Sequence, residues 1–287
     1  MPIAAITITP DQYRGGGDAP AYPIEQFAQA CLAQGDSWFS IGAFPPYLTT
    51  NLLFSLKLAA STCIVNCAVP GKELQHMTDT TTAVAFLQIL DGVQAMKFDG
   101  ILLSGGGNDV IDALQSTDAD PAKRLLRTQA EWGPPGTGGE RYLSEPGWAV
   151  LVAHLDDVFR RFVAARDAGI NANVPVILHT YDFAAPRPCG AGFGAGPWLA
   201  KALGHFSVPQ GDWNAVSDAL YLRLRDLLRS LQQQHANVHL VDTLGTLTRA
   251  GNNEAGPTAD WQNEIHPTRP GYKQLLAVWA PVLDAVL

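Results

Sequence analysis

The chain is poor in charge. Only 16% of its 287 residues are Asp, Glu, Lys or Arg, against 47% apolar, and the balance is acidic: 27 carboxylates face 19 Lys and Arg, for a net charge of −8. A surface of that sign repels a phosphate backbone, and no run of Lys or Arg offers a local exception, so no nucleic-acid partner is expected. Long hydrophobic runs are also missing. None reaches the 18 residues that mark a membrane-spanning helix, so no transmembrane segment is expected. The N-terminus, MPIAAITITPDQYRGGGDAP, has neither the basic start nor the unbroken apolar run of a secretory signal. Cysteine is scarce. Cys31, Cys63, Cys67 and Cys189 are the four present, and no CxxC pair suggests zinc. Cys63 and Cys67 lie in what reads as one strand, roughly 13 Å apart along it, which is beyond disulfide reach. Free thiols point to a reducing compartment, hence the cytoplasm unless an export signal had been removed. The phosphate-cradling patterns GxGxxG and GxxxxGK[ST] are absent as well.

What remains is a chain long and apolar enough for one large α/β domain. Residues 1–30 read as an N-terminal leader rich in Gly and Pro, and 31–287 as a single domain. Compact, partly β-branched runs predict buried strands: TCIVNCAV (62–69), FDGILLSGG (98–106), VPVILHTY (174–181) and NVHLVDTL (237–244). A first strand, ACLAQ before Gly35, is placed by position more than by propensity. Apolar residues at helical spacing predict helices over 48–60, 73–93, 147–166 and 213–234. A last helix from about Gly271 follows Pro270. Strand alternating with helix predicts a parallel sheet with helices on both faces, and ligands then bind at the carboxyl ends of the strands. Two segments break the rhythm, 113–146 and 183–211. Both are long and rich in Gly, Pro and aromatics, the composition of functional lids or of mobile connectors.

Four short stretches carry groups that can do chemistry, and each has a bland reading when taken alone. Gly35-Asp36-Ser37 follows the first strand and reads equally as a turn or a helix cap. Gly71 follows the second strand, as glycines in turns often do. The stretch SGGGND (104–109) follows the third strand. Its three glycines permit close backbone approach, and Asn108 supplies an amide donor. His266, in WQNEIHPTRPG (261–271), precedes the final helix. A lone loop histidine is more often structural than catalytic. His179, Tyr181 and Asp182 follow another strand and either line a pocket or serve the structure. Phe193, Trp198 and Leu199 form either an acyl-binding wall or ordinary packing under a long loop. His235 and His239 straddle a helix end and a strand, so a shared metal is not expected.

In order and position, these four blocks resemble the pattern of the GDSL or SGNH hydrolase superfamily: GDS near the start, Gly after the second strand, GxND after the third and DxxH near the C-terminus. Here they run from Gly35 to His266, nearly the whole chain. The resemblance implies a three-layer α/β/α domain with a flavodoxin-like parallel sheet of about five strands. It also implies a serine esterase or lipase that needs no cofactor and no metal and acts on a small-molecule ester. Ser37 is then the nucleophile and His266 its base. The oxyanion donors are the Ser37 and Gly71 backbone N–H groups and the Asn108 amide. Thioesterase, lysophospholipase and sugar deacetylase activities fit the same pattern.

The last block departs from the family. Where the acid belongs, three residues before the histidine, stands Asn263. An amide carbonyl can accept the Nδ1–H bond but brings no charge. Asp242, at the end of NVHLVD, is the first choice for the third member. Asp260, in the histidine's own loop, and Asn263 are alternatives, and a backbone carbonyl would leave a Ser–His dyad. A binding protein with a decayed site is the rival from outside catalysis.

Overall fold

The computed structural model describes residues 1–15, 20–40, 50–192 and 194–287. Its strands are β1 (Ile3–Ala4), β2 (Ile6–Ile8), β3 (Gln29–Gly35), β4 (Lys57–Leu58), β5 (Thr62–Asn66), β6 (Gly100–Ser104), β7 (Val176–His179) and β8 (Val238–Val241). The helices are α1 (Pro10–Arg14), α2 (Val84–Leu90), α3 (Gly107–Gln115), α4 (Glu145–Asp167), α5 (Leu199–His205), α6 (Trp213–Gln234) and α7 (Arg269–Val286). Six strands form one sheet in the order β2-β5-β3-β6-β7-β8, every pair parallel. Without β2, the order along the chain is 2-1-3-4-5, the flavodoxin-like arrangement. The chain leaves β3 toward β5 and returns on the other side to β6, so the carboxyl ends of β3 and β6 flank the switch point where such sheets open a crevice.

The sixth strand comes from the segment read as a leader. Ile6, Thr7 and Ile8 pair with Cys63, Ile64 and Val65, so the N-terminal residues extend the sheet at its edge. The strand β3 forms despite its small residues because it is enclosed. Every residue from Ala30 to Gly35 is buried between β5 and β6. Gly35 is required there: a Cβ on it would lie 2.8 Å from the Ser104 Cβ. The long helices match their periodicity, with Ser144 capping α4 and Thr268 capping α7 through their side-chain oxygens.

Two predicted helices do not form as read. The described part of 48–60 is a set of turns followed by β4, which pairs with β1. Asn51 Oδ1 accepts the N–H groups of Leu53 and Phe54, closing a turn that competes with helix. Within 73–93, α2 is confined to Val84–Leu90. The Asp79 carboxylate takes the N–H groups of Thr81 and Thr82, which holds TDTTTA out of helix. Conversely, α3 begins inside the glycine run read as a loop. Gly106, at φ +96°, makes the left-handed turn that starts it. The segment 183–211 contains α5. Among the described residues no helix is long and apolar enough to cross a membrane.

Candidate active site

Ser37 follows the end of β3, in a turn whose Asp36 carbonyl accepts the N–H groups of Phe39 and Ser40. The Asp36 side chain is fully engaged by its neighbours. Its buried carboxylate accepts the Trp38 N–H at 2.9 Å, the Tyr181 hydroxyl at 2.5 Å and a contact from Ser104 Oγ at 2.8 Å. Ser104 Oγ in turn meets His179 Nε2 at 2.9 Å, while His179 Nδ1 gives its proton to the Thr180 carbonyl at 2.8 Å. The Asp36–Ser104 and Ser104–His179 contacts need two protons, and the serine hydroxyl has one, so either Asp36 or His179 must carry the other. Burial disfavours charge on both, pushing the Asp36 carboxyl up to about 6 and holding the His179 imidazolium down to about 4. Of the two groups, Asp36 is the one that holds the extra proton to the higher pH, up to about 6, while His179 is neutral there. Asp36 therefore braces the turn that carries Ser37.

On the opposite wall, α3 starts with Gly107-Asn108-Asp109. Asp109, buried, accepts the Leu74 N–H at 3.0 and 3.2 Å and so ties α3 to the segment after β5. Burial is the largest cause pushing its carboxyl up to about 7. The Asn108 amide donates to the Lys72 carbonyl at 3.2 Å, next to Gly71. Gly71 itself turns at φ +74° with open space around it. Ser37 and Asn108 share one cleft, walled by Trp38, Ile111, Tyr181 and Ile265, all buried. Gly71 is not among the residues that line it.

His266 reaches the site from the turn before α7. Its Nε2 lies 2.7 Å from Ser37 Oγ. Its Nδ1 lies against the Asn263 amide, 3.2 Å from Oδ1 and 3.1 Å from Nδ2. The orientation of that amide is set by its own turn, because Oδ1 also accepts the N–H groups of Ile265 at 3.0 Å and His266 at 2.8 Å. Burial holds the His266 imidazolium down to about 4. The Trp198 ring meets the imidazole edge-on at 5.9 Å between centroids.

Asp242, the first choice for the third member, is elsewhere. Its carboxylate is bound by Arg229 Nη2 at 2.6 Å and by the Thr180 hydroxyl at 3.2 Å. The reason lies in the sheet order: Asp242 follows β8, the outer strand, two strands beyond β6 and the crevice. Asp260 is also committed, accepting from the Thr248 N–H at 2.8 Å and from Gln274 at 2.6 Å. Of the candidates weighed, Asn263 is the one whose side chain meets the imidazole.

The remaining sequence candidates divide. Tyr181 lines the cleft and His179 lies in the network beneath it. Asp182 accepts the N–H groups of Gly245 and Leu247 and ties two loops together. Leu199 is buried at the start of α5, and Phe193 lies outside the described residues. His235 packs on Phe159 and His239 bonds Asn237. No cluster of three or more metal-ligating side chains is found among the described residues. The segment 113–146 braces itself and α6 through pairs such as Arg124–Glu131 and Arg223–Glu140, and none of its residues lines the cleft. Two residues that hold the histidine loop, Arg187 and Glu264, were not singled out from sequence. A charge beside the histidine, and a basic residue between two prolines in an apolar loop, were the available signals.

No family model matches the chain, and no curated relative matches it. Among solved structures it is similar to an extracellular lipase from Streptomyces rimosus, 15% identical, over 91% of this chain and 100% of that one, with a TM-score of 0.49. It is also similar to an acetylxylan esterase from Geobacillus stearothermophilus, 14% identical over 88% and 92% of the two chains at 0.44. A GDSL-like lipase from Bacteroides thetaiotaomicron is 13% identical over 93% of each, also at 0.44.

Proposed function

We propose that this chain is a serine hydrolase of the GDSL or SGNH type that cleaves carboxylic esters through an acyl-enzyme. One observation carries the reading: Ser37 Oγ and His266 Nε2, 229 residues apart in sequence, stand 2.7 Å apart at the crevice of a flavodoxin-like sheet. A serine hydroxyl becomes a nucleophile when a base accepts its proton. Burial keeps His266 neutral at physiological pH, and a neutral Nε2 is the acceptor required.

For that acceptor to exist, the ring proton must sit on Nδ1. Asn263 supports this tautomer by offering its carbonyl oxygen, already fixed by two backbone N–H groups. Ser37 Oγ then attacks the ester carbon while its proton passes to Nε2, and the carbonyl π pair moves onto oxygen. Donors for that oxyanion are the Asn108 amide and the Ser37 backbone N–H, which share the cleft; the Gly71 N–H, the third donor that the family resemblance implies, is not on its lining. Collapse breaks the bond to the leaving alkoxide, which takes the proton from Nε2–H. Water repeats the sequence on the acyl-serine and releases the acid.

The test is turnover of short aryl esters by the wild-type chain and by Ser37→Ala. The variant is expected to lose at least about 10³-fold in kcat with its fold retained. Absence of turnover in the wild type would place the chain among binding proteins with a decayed site.

A further inference from the structure

The loop that carries His266 is gripped by two fully buried charged side chains that no step of the mechanism uses. Glu264 lies two residues before the histidine. One of its carboxylate oxygens accepts the N–H of Leu199 at 2.9 Å and that of Trp198; the other accepts the N–H of Ala200 at 2.7 Å and of Arg187 at 3.1 Å. Its own N–H donates to the Cys189 carbonyl at 2.9 Å. From the same strap, the Arg187 guanidinium donates to the Asn263 carbonyl at 2.8 Å, and also to the carbonyls of Trp261 and Glu254. Both side chains are 0% exposed.

This is a costly arrangement for stability alone. Desolvation pushes the Glu264 carboxyl above its ordinary range, and four backbone donors must compensate. Its position gives a reason. Asn263 and His266 flank Glu264, so a lever anchored at residue 264 fixes the backbone of the turn that aims the imidazole at Ser37. The anchor is the first turn of α5, whose preceding residue, Trp198, has its ring against His266. A hydrogen bond of 2.7 Å between base and nucleophile tolerates little drift, and misplacement of about 1 Å costs on the order of 10²-fold in rate.

Resting on the ester-hydrolase reading above, we propose that Glu264 and Arg187 are positioning residues for His266, coupling the 187–200 strap to the base. The charge missing at position 263 is thus replaced by rigidity at position 264.

The test compares Glu264→Gln and Arg187→Lys with wild type, each at known active-site concentration from the burst with a p-nitrophenyl ester. Glu264→Gln keeps the shape but presents an amide N–H₂ to backbone donors. Arg187→Lys keeps the charge but loses the planar guanidinium that spans the Asn263 and Glu254 carbonyls. Per titrated site, kcat is expected to fall at least about 10-fold while KM changes less than about threefold. Thermal unfolding reports separately on fold. If Glu264→Gln does not fold, Arg187→Lys decides by the same measure. Lower melting temperatures with kcat per site unchanged would overturn the positioning role. Failure of the hydrolase reading is distinguishable, because wild type itself then turns over no ester.

Discussion

The two halves of the candidate site are built on opposite plans. The proposed nucleophile stands at a strand end. Ser37 lies two residues past β3, and Asp36, Ser104, His179 and Tyr181 beside it form a polar network drawn from three adjacent strand ends. The proposed base stands on a loop. Among the described residues the side chain that meets His266 Nδ1 is the neutral Asn263 amide, and Arg187 and Glu264 grip the backbone of the same turn. One side is rigid by topology, the other by hydrogen bonds made to order. The difference teaches where tolerance lies: the sheet side depends on proton count and packing, the loop side on geometry and local charge.

The largest effect tests the loop side. His266→Ala is expected to lower kcat by at least about 10³-fold, as removal of a triad base does elsewhere, with Tm near that of wild type. Steady-state kinetics against calorimetry separates the two.

Next is the wall facing both halves. Asn108→Ala is expected to cost about 10²–10³ in kcat, or roughly 3–4 kcal/mol of transition-state stabilisation, with KM moving less. A change confined to KM would make Asn108 a binding group.

Then comes the charge that the loop side lacks. With His266 held to about 4, the active neutral form is present above that pH and is lost as pH falls through it, so kcat/KM is expected to persist well below the usual histidine range. Asn263→Asp places an anion against Nδ1 and favours the imidazolium, so the acid limb moves up in pH and kcat rises by roughly 10-fold or less. A pH profile identical to wild type would separate residue 263 from the base.

A smaller effect is expected beneath the nucleophile. Asp36→Asn mimics the protonated acid that the proton count favours, and it is expected to keep kcat within about 10-fold of wild type. A far larger loss would put the charge on Asp36.

The smallest is Asp242→Asn. It removes a partly exposed pair with Arg229, expected to be worth less than about 1 kcal/mol, and leaves ester turnover unchanged.

These contrasts also explain what was legible beforehand. Strands such as Thr62–Asn66 and Val176–His179, and helices such as Trp213–Gln234, carry their period in the residues themselves. That Ser37 and Asn108 meet in one cleft was readable because each lies just past a strand, and strand ends converge in a parallel sheet. The turns at Asn51 and Asp79 were hidden because a single side-chain oxygen overrode an apolar pattern. The edge strand from Ile6–Ile8 was hidden because two or three residues have no measurable period. Asp242 misled for a clearer reason. A carboxylate at a strand end is well aimed, but which strand it follows is decided by sheet order, which no local window contains. The reach of Arg187 across more than seventy residues to Asn263 is non-local in the same way.

The most direct measurement is to treat the chain with a fluorophosphonate and map the adduct by peptide mass spectrometry. One adduct per chain on the Ser37 peptide, abolished in Ser37→Ala and strongly slowed in His266→Ala, is the result predicted here. No adduct on the wild-type chain, or an adduct on another serine that survives Ser37→Ala, would contradict it.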